Sequence, residues 1–290
     1  MERVRRIPDR FRWFHETRRS AAVNHGIDPS LLGELLDLGL PHAGAGEDLL
    51  LDGIDCTNLS LCLRLRAPRR IALRGWGRAL RSEAAGQARR HQLRIVPRCP
   101  YPGHPGGCGF RVLPDAVLDA AHETAGATAV LDGCDARVHL PADPSAGQSV
   151  PAELRPVLDT LSEVDYQILP RELERDLAFL RDSNLACCML ASTLLVQEAA
   201  LRGIEARPSF GLTVVPPFAM PHAWVEFRVA GRWTAWDPHL LKALRAWGLC
   251  DADSWPDDRA LSRFFLRLGA RSGPVATHHG LHTDVSMTVV

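Results

Sequence analysis

The chain has 290 residues, of which 46% are hydrophobic and 23% are charged, as expected for a globular protein with a packed core. Its 34 basic and 34 acidic residues balance, so the totals give no reason to expect nucleic acid or a membrane surface as a partner. The basic N-terminus lacks the apolar segment of a secretory signal, and no run approaches the roughly 18 apolar residues that span a bilayer. We therefore expect a cytoplasmic protein, whose oligomeric state the sequence leaves open.

Apolar spacing and turn residues predict a mainly helical N-terminal region over residues 1–150, to which the sequence assigns no role. A helix over 28–40 begins at a capping Asp or Ser, and the Leu- and Arg-rich stretch 45–95 is typical of further helices. The segment 97–109 is dense in Pro and Gly, which disfavour both helix and strand, so we expect an irregular loop there.

The end of this region has weaker patterns. A helix is expected over 114–124 and a short strand over 128–131. The segment 141–151 combines Pro, Ser and Gly, a composition typical of a linker or a long surface loop.

The pattern changes after residue 151, where helical and strand periodicities follow one another. The predicted elements are helices over 171–183 and 184–202, strands over about 205–215, 223–229 and 232–237, and helices over about 239–248 and 258–269. They predict an α+β domain over residues 151–272, followed by a flexible tail over 273–290.

Residues 221–238 predict a β-hairpin with a polar residue at each end. Alternation places His222 and Trp224 on one face of the first strand and Val225 on the other. A two-residue turn, either Ala-Gly or Gly-Arg, puts Asp237 on the same face as His222, because both registers have the same parity. With the Ala-Gly turn, Asp237 lies diagonal to His222, about 7 Å away between backbones, so the two side chains can form a hydrogen bond.

A candidate nucleophile for this pair lies upstream, in the nearly apolar helix predicted over 184–202. Asp182 or Ser183 can cap the helix, which places Cys187 and Cys188 about one turn inside its N-terminus. The helix dipole favours a thiolate there, and a neighbouring imidazolium favours it further. A thiol beside a His–Asp pair is the arrangement of an activated cysteine nucleophile.

The stretch CMLASTLLVQEAALRGIEAR, followed by HAWVEF and GRWTAWDP, resembles the transglutaminase-like superfamily of papain-type cysteine enzymes. The likeness covers about residues 180–240, and it is specific in the combination of the three motifs. The resemblance implies a papain/transglutaminase-like core, in which a buried helix that begins at the cysteine packs on an antiparallel sheet.

The resemblance also implies three catalytic residues: Cys188 as nucleophile, His222 as general base and acid, and Asp237 as the residue that orients the imidazole. Cys188 precedes Gly203 by fifteen positions and Arg207 by nineteen, which are the family's spacings. Cys187 is one position off in both, although it has the family's Ala four positions later. The family's oxyanion hole adds a side-chain donor from upstream, for which Tyr166 and Gln167 are the candidates.

The implied chemistry is acyl transfer through a thioester on Cys188, after which His222 activates the acceptor. An amine acceptor gives amide bond formation, which we expect in a bacterial stand-alone enzyme of peptide or natural-product biosynthesis. Water as acceptor gives a peptidase or amidase, and a non-catalytic scaffold of the same fold is a further alternative. The expected donor is a peptide, an amide or a thioester, in some pathways bound to a carrier protein.

The irregular segment raises the question of zinc, because it contains Cys99, His104 and Cys108, with Cys134 further along the chain. Zinc sites usually show cysteine pairs about two to four residues apart, and the separation here is wider. The content of Pro and Gly is enough to explain a loop. The sequence therefore predicts no metal and no other cofactor.

Overall fold

The computed structural model of the chain combines an N-terminal helical region with a large antiparallel sheet and a buried helix packed on that sheet. It describes residues 1–84, 91–112, 128–132, 135–140, 148–251, 255–256, 259–271 and 273–290. The helix expected over 114–124 lies outside the described residues, as does most of the linker expected over 141–151.

Short helices and a small sheet make up the first 84 residues. The helices are α1 (Glu2–Arg5), α2 (Arg18–His25), α3 (Pro29–Asp37), α4 (Gly53–Cys62) and α5 (Pro68–Ala84). The strands β1 (Phe14–Thr17), β2 (His42–Ala43) and β3 (Leu50–Asp52) pair antiparallel in the order β1-β3-β2. The Asp28 side chain accepts a hydrogen bond from the Leu31 N–H at the start of α3, as the capping pattern predicts.

The rest of the described chain forms the main sheet, the two small sheets β15-β14-β5 and β8-β9, and the helices around them. The strands are β4 (His91–Pro97), β5 (Phe110–Val112), β6 (Thr128–Asp132), β7 (Asp135–Leu140), β8 (Asp165–Tyr166), β9 (Leu185–Ala186), β10 (Ala206–Val215), β11 (Phe218–Val229), β12 (Arg232–Ala235), β13 (Phe265–Gly269), β14 (Ala276–His278), β15 (Leu281–His282) and β16 (Val285–Val289). The helices are α6 (Arg155–Leu158), α7 (Leu177–Ser183), α8 (Cys188–Leu201) and α9 (Pro238–Ala246).

The main sheet is antiparallel and carries the candidate site. Its strands run in the order β13-β10-β11-β16-β4-β7-β6, and β12 pairs with β11. Helix α8 packs against β10 and β11, and its apolar side chains share a buried cluster with Val225 and Phe227. Trp224, which alternates with Val225, belongs to another cluster with Trp76 of α5 and Leu244 of α9. The fold is therefore α+β, with a buried helix on an antiparallel sheet, as the sequence predicts.

The sheet extends across residue 150, where the sequence places the start of the second domain. Strands β4, β6 and β7 precede that point, and they join the sheet through β16, which pairs with β4 over five residues. The mainly helical character of the N-terminal region thus holds for residues 1–84. Further along the region, β4, β6 and β7 belong to the same sheet as the candidate site, and β5 pairs with β14 in a separate small sheet.

The segment 273–290, expected to be a flexible tail, instead forms strands β14, β15 and β16. In β16 the residues Val285, Met287 and Val289 alternate with polar ones and pack in a buried cluster with Leu93. This two-residue period is typical of a strand, but over five residues it is too short to stand out in the sequence.

Two predicted helices also differ from the structure. The helix expected over 258–269 is a short 3-10 turn at Ser262–Phe264 followed by β13, because pairing with β10 buries Leu266 completely and such tertiary burial overrides local propensity. The helix expected over 171–183 begins only at Leu177, where the Asp176 side chain accepts the first free N–H groups. Among the described residues, no helix combines the length and the apolarity needed to cross a bilayer.

Candidate active site

The hairpin of β11 and β12 sets the relation between His222 and Asp237. Val229 pairs with Arg232, so the turn residues are Ala230 and Gly231, which have φ angles of 50° and 79°. Two consecutive positive φ values define the tight turn that matches the twist of a hairpin. This is the Ala-Gly register, in which Asp237 lies diagonal to His222 on the same face.

The imidazole of His222 and the carboxylate of Asp237 form a short, buried hydrogen bond. His222 Nε2 lies 2.7 Å from Asp237 Oδ2, and the two residues are only 6% and 7% exposed. Burial opposes ionisation of Asp237, but the hydrogen bond and charge of His222, with the Leu240 N–H, hold the pKa of this carboxyl below its usual range. The carboxylate therefore stays charged beside the ring and fixes its orientation.

Cys188 is the first residue of α8, and Cys187 occupies the N-cap position. The sequence placed both thiols about one turn inside the helix. Instead, Asn184 ends α7 in a left-handed conformation, and the two-residue strand β9 then leads directly to Cys188. The thiol thus lies at the positive end of the helix, where backbone N–H groups have no partner within the helix.

His222 and the backbone N–H of Ala223 lie close enough to the Cys188 thiol to act as hydrogen-bond donors to its thiolate. Burial disfavours the thiolate, but the charge of His222 and these two hydrogen bonds outweigh it, so the pKa of Cys188 lies below its ordinary value. Burial likewise opposes protonation of His222, but the charge of Cys188 and the hydrogen bonds to Asp237 and Cys188 raise the pKa of His222 to about 10. The site therefore favours a thiolate–imidazolium pair at neutral pH.

Cys187 has a different environment from its neighbour. It is 6% exposed, and burial, together with the charge of Cys188, raises the pKa of its thiol well above the ordinary range. The structure brings Cys188, and not Cys187, into contact with the His222–Asp237 pair.

The candidate oxyanion donors lie on the strand that pairs with the residues before the nucleophile. Strand β8 runs parallel to β9, with Tyr166 opposite Ala186, and the N–H of Gln167 donates to the Ala186 carbonyl at 2.9 Å. Burial, followed by the charges of Cys188 and Cys187, raises the pKa of Tyr166 well above its ordinary value. Its hydroxyl therefore keeps its proton near neutral pH, as a hydrogen-bond donor must.

His239 is a buried residue that the sequence analysis missed. Its Nε2 lies 3.0 Å from the Ala186 carbonyl, and its ring centroid lies 5.1 Å from that of Tyr166. His239 Nε2–H thus donates to the same carbonyl as Gln167 and holds the strand that leads to Cys188. In the sequence, His239 could have been noticed because it follows Asp237 by two positions, at the start of α9.

An open pocket of about 500 Å³ gives access to Cys188 and His222. One part of its wall comes from the site itself and from Met189 and Phe210. The other part is formed by the C-terminal segment, whose lining residues are Gly273, Val275, His282, Thr283, Asp284, Val285 and Met287. The segment expected to be a flexible tail therefore forms part of the wall of the pocket beside Cys188.

Comparison with known proteins gives distant structural likenesses only. No family model and no curated protein matches the chain. A solved transglutaminase aligns at 13% identity and a TM-score of 0.23 over 48% of this chain, and the match spans 53% of that protein, about half its length. A proposed cysteine protease from Cytophaga hutchinsonii aligns at 12% identity and a TM-score of 0.28, covering 69% of this chain and 84% of the other.

Because the identities and TM-scores are low, the chemistry of the site rests on its own geometry, namely the contacts among Cys188, His222 and Asp237.

Proposed function

We propose that the protein is a cysteine-dependent acyl transferase that forms a thioester on Cys188 and passes the acyl group to an amine. The observation that carries this proposal is the continuous chain of contacts from the Cys188 thiol through His222 to Asp237. A thiolate–imidazolium pair with a buried orienting carboxylate is the arrangement required for nucleophilic attack on an acyl carbon.

In the first half of the reaction, the Cys188 thiolate attacks the carbonyl carbon of the donor. The negative charge that develops on the carbonyl oxygen is met by the N–H of Cys188 at the start of α8 and by the Tyr166 hydroxyl. His222 donates its proton to the leaving group, which departs as the bond to the acyl carbon breaks. This step leaves a thioester on Cys188 and a neutral imidazole that is still bound to Asp237.

In the second half, neutral His222 takes a proton from the incoming amine as its nitrogen attacks the thioester carbon. The intermediate collapses with release of the Cys188 thiolate, so an amide is formed and the thiolate–imidazolium pair is restored. Water in place of the amine completes the same cycle as hydrolysis. The competition between the two acceptors therefore decides whether the enzyme acts as a transferase or as a peptidase or amidase.

The wall of the pocket favours an amine as the acceptor. Its lining includes the carboxylates of Glu174 and Asp284, and no Lys or Arg occurs among the described residues that line it. Most amines are cationic near neutral pH, so these carboxylates attract them towards the site. The amine releases one proton to solvent before its nitrogen attacks, and His222 takes the second proton. Apolar side chains such as Met189 and Val285 form another part of the lining and disfavour ordered water.

Intact-mass analysis with activated ester and thioester donors tests the proposal. A covalent acyl adduct is expected on the wild-type protein and on Cys187→Ala, and it should be absent from Cys188→Ala. Adding a primary amine should convert the adduct to the amide faster than water removes it. Loss of the adduct to water alone would support the peptidase or amidase alternative. No adduct with peptide, amide or thioester donors, including carrier-bound ones, would support the non-catalytic scaffold.

A further inference from the structure

Two cysteines and two histidines converge at a place where the sequence predicts only an irregular loop. Cys99, His104 and Cys108 come from that loop, and His278 comes from β14. One ligand atom of each lies within 4.8 Å of every other. We propose that these four side chains form a structural zinc site that joins the loop to the C-terminal segment.

The fold brings His278 to the loop through a short ladder of strands. β14 pairs antiparallel with β5, so that His278 lies opposite Phe110, two residues after Cys108. At the other end of the loop, the Arg98 N–H donates to the Asp284 carbonyl at 2.8 Å. Both ends of the loop are therefore fixed against the C-terminal segment, and the ligands project from a backbone that is held in place.

The distances between the ligand atoms fit a tetrahedral ion. Cys99 Sγ lies 3.9 Å from His278 Nε2, and His104 Nε2 lies 3.4 Å from Cys108 Sγ. Zinc bound at about 2.3 Å to sulfur and about 2.0 Å to nitrogen places neighbouring ligand atoms roughly 3.3–3.8 Å apart. The four atoms therefore need only small shifts to enclose the ion.

The contacts around the two neighbouring histidines distinguish a ligand from a non-ligand. His104 Nδ1 lies 3.2 Å from the Pro105 carbonyl, so Nδ1 carries the proton and Nε2 presents its lone pair to the cluster. This outer hydrogen bond is the usual device that orients a metal-bound imidazole. His279 differs, because its Nε2 accepts the Gly109 N–H at 3.3 Å, and that nitrogen is therefore occupied.

The ligand set identifies the metal class and its role. Two thiolates with two imidazoles in a tetrahedral arrangement are typical of zinc. Since all four positions come from the protein, none is left for water or substrate, which makes the site structural rather than catalytic. Sequence spacing disfavoured zinc because Cys99 and Cys108 are nine positions apart. The fourth ligand, His278, follows Cys108 by 170 residues and was not considered.

The site has a consequence for the substrate pocket. His278 lies between two groups of pocket residues, Gly273 and Val275 on one side and the stretch 282–285 on the other. Zinc at His278 therefore fixes the part of the wall that faces Cys188, while none of its ligands lines the pocket itself. Loss of zinc is expected to weaken substrate binding more than it changes the thiolate–imidazolium pair.

Metal analysis of the purified full-length protein tests the proposal. We expect about one zinc per chain, as for a closed four-ligand site, and release of that zinc by a thiol-modifying reagent. Cobalt added to the apoprotein should give the intense visible bands of a tetrahedral thiolate complex. Cys108→Ser and His278→Gln should lose the metal and the cobalt bands, whereas the matched controls Cys62→Ser and His279→Gln should keep both.

Circular dichroism of each variant separates loss of the metal from loss of the fold, and Cys108 is suited to this because its side chain is exposed. In folded Cys108→Ser, the alkylation rate of Cys188 should stay near that of the wild type while KM rises. Any of three results would overturn the proposal. The wild-type protein could lack stoichiometric metal, mass analysis could find a Cys99–Cys108 disulfide, or both ligand variants could retain full zinc.

Discussion

Asp237 binds His222 with one carboxylate oxygen and the start of α9 with the other. Oδ2 lies 2.7 Å from His222 Nε2, and Oδ1 accepts the Leu240 N–H at 2.8 Å. The carboxylate is thereby held at both oxygens and cannot rotate away from the ring. One residue serves both as the orienting group of the site and as the N-cap of the helix that follows the hairpin.

This double role predicts that two substitutions of Asp237 differ in kind. Asp237→Asn keeps an oxygen for the Leu240 N–H but removes the charge that supports the His222 imidazolium. We expect kcat for acyl transfer to fall on the order of 100-fold or more, with little change in melting temperature. Asp237→Ala should lose activity and also about 1 kcal/mol of stability, because the N-cap is lost as well. Equal melting temperatures for the two variants would contradict the capping role.

The thiolate–imidazolium pair predicts selective alkylation of Cys188 at low pH. At about pH 6 an ordinary thiol is less than roughly 1% ionised, whereas Cys188 has a lowered pKa. A thiolate of low pKa is also a weaker nucleophile, so we expect about a tenfold faster reaction with iodoacetamide than at the exposed Cys62. Peptide mapping by mass spectrometry measures both sites in the same sample.

Two variants serve as controls for this reaction. His222→Ala should slow alkylation of Cys188 to the rate of Cys62, since the thiolate loses its counter-ion. Cys187→Ala should leave the rate unchanged. Uniform slow labelling of all cysteines in the wild type would count against an activated thiol.

The raised pKa of His222 predicts how stability depends on pH. Its pKa is about 10 in the folded protein and near 6.5 in the unfolded chain. The stabilisation from protonated His222 is therefore fully present below about pH 6.5 and is lost as the pH rises through about 10. The difference in free energy of unfolding between the wild type and His222→Gln should shrink across that interval, as measured by urea unfolding at a series of pH values. A constant difference across the interval would contradict an imidazolium in the folded state.

Tyr166 is expected to act as the side-chain donor to the oxyanion. Its pKa is raised by burial and by the nearby thiols, so the hydroxyl carries its proton throughout the working range. Tyr166→Phe should lower kcat by roughly 100-fold, the usual effect of one lost oxyanion donor, with KM and the alkylation rate of Cys188 nearly unchanged. A matched substitution, Gln167→Met, should lower kcat less than Tyr166→Phe does. A larger loss of kcat in Gln167→Met would instead identify Gln167 as the donor.

The residues that meet in the candidate site were predictable because short-range geometry governs them. The parity of a two-residue turn puts His222 and Asp237 on one face whichever register forms, and the structure adopts the Ala-Gly register. The start of α8 was less predictable. The helix start depends on the left-handed Asn184 and on the pairing of β9 with β8. The strand partner lies almost twenty residues upstream, so the local spacing of apolar residues does not reveal it.

The parts that sequence patterns missed depend on partners far along the chain. Strand β13 is a strand because β10 lies beside it, and β16 is one because β4 and β11 flank it. The cluster of Cys99 and His278 spans 179 positions. Spacing rules for metal ligands describe local loops, so they cannot detect a ligand set completed by a distant strand.

The position of β16 determines the order in which the chain can fold. This strand lies between β11 and β4, yet it is the last of the sheet to be synthesised. Until Val285–Val289 leaves the ribosome, the β10–β11 half and the β4–β7 half of the sheet each present an unpaired edge. Completion of the sheet, and with it of the pocket wall beside Cys188, is therefore a late event in folding. A nascent chain arrested before residue 285 should fold around α8 and still fail to retain substrate.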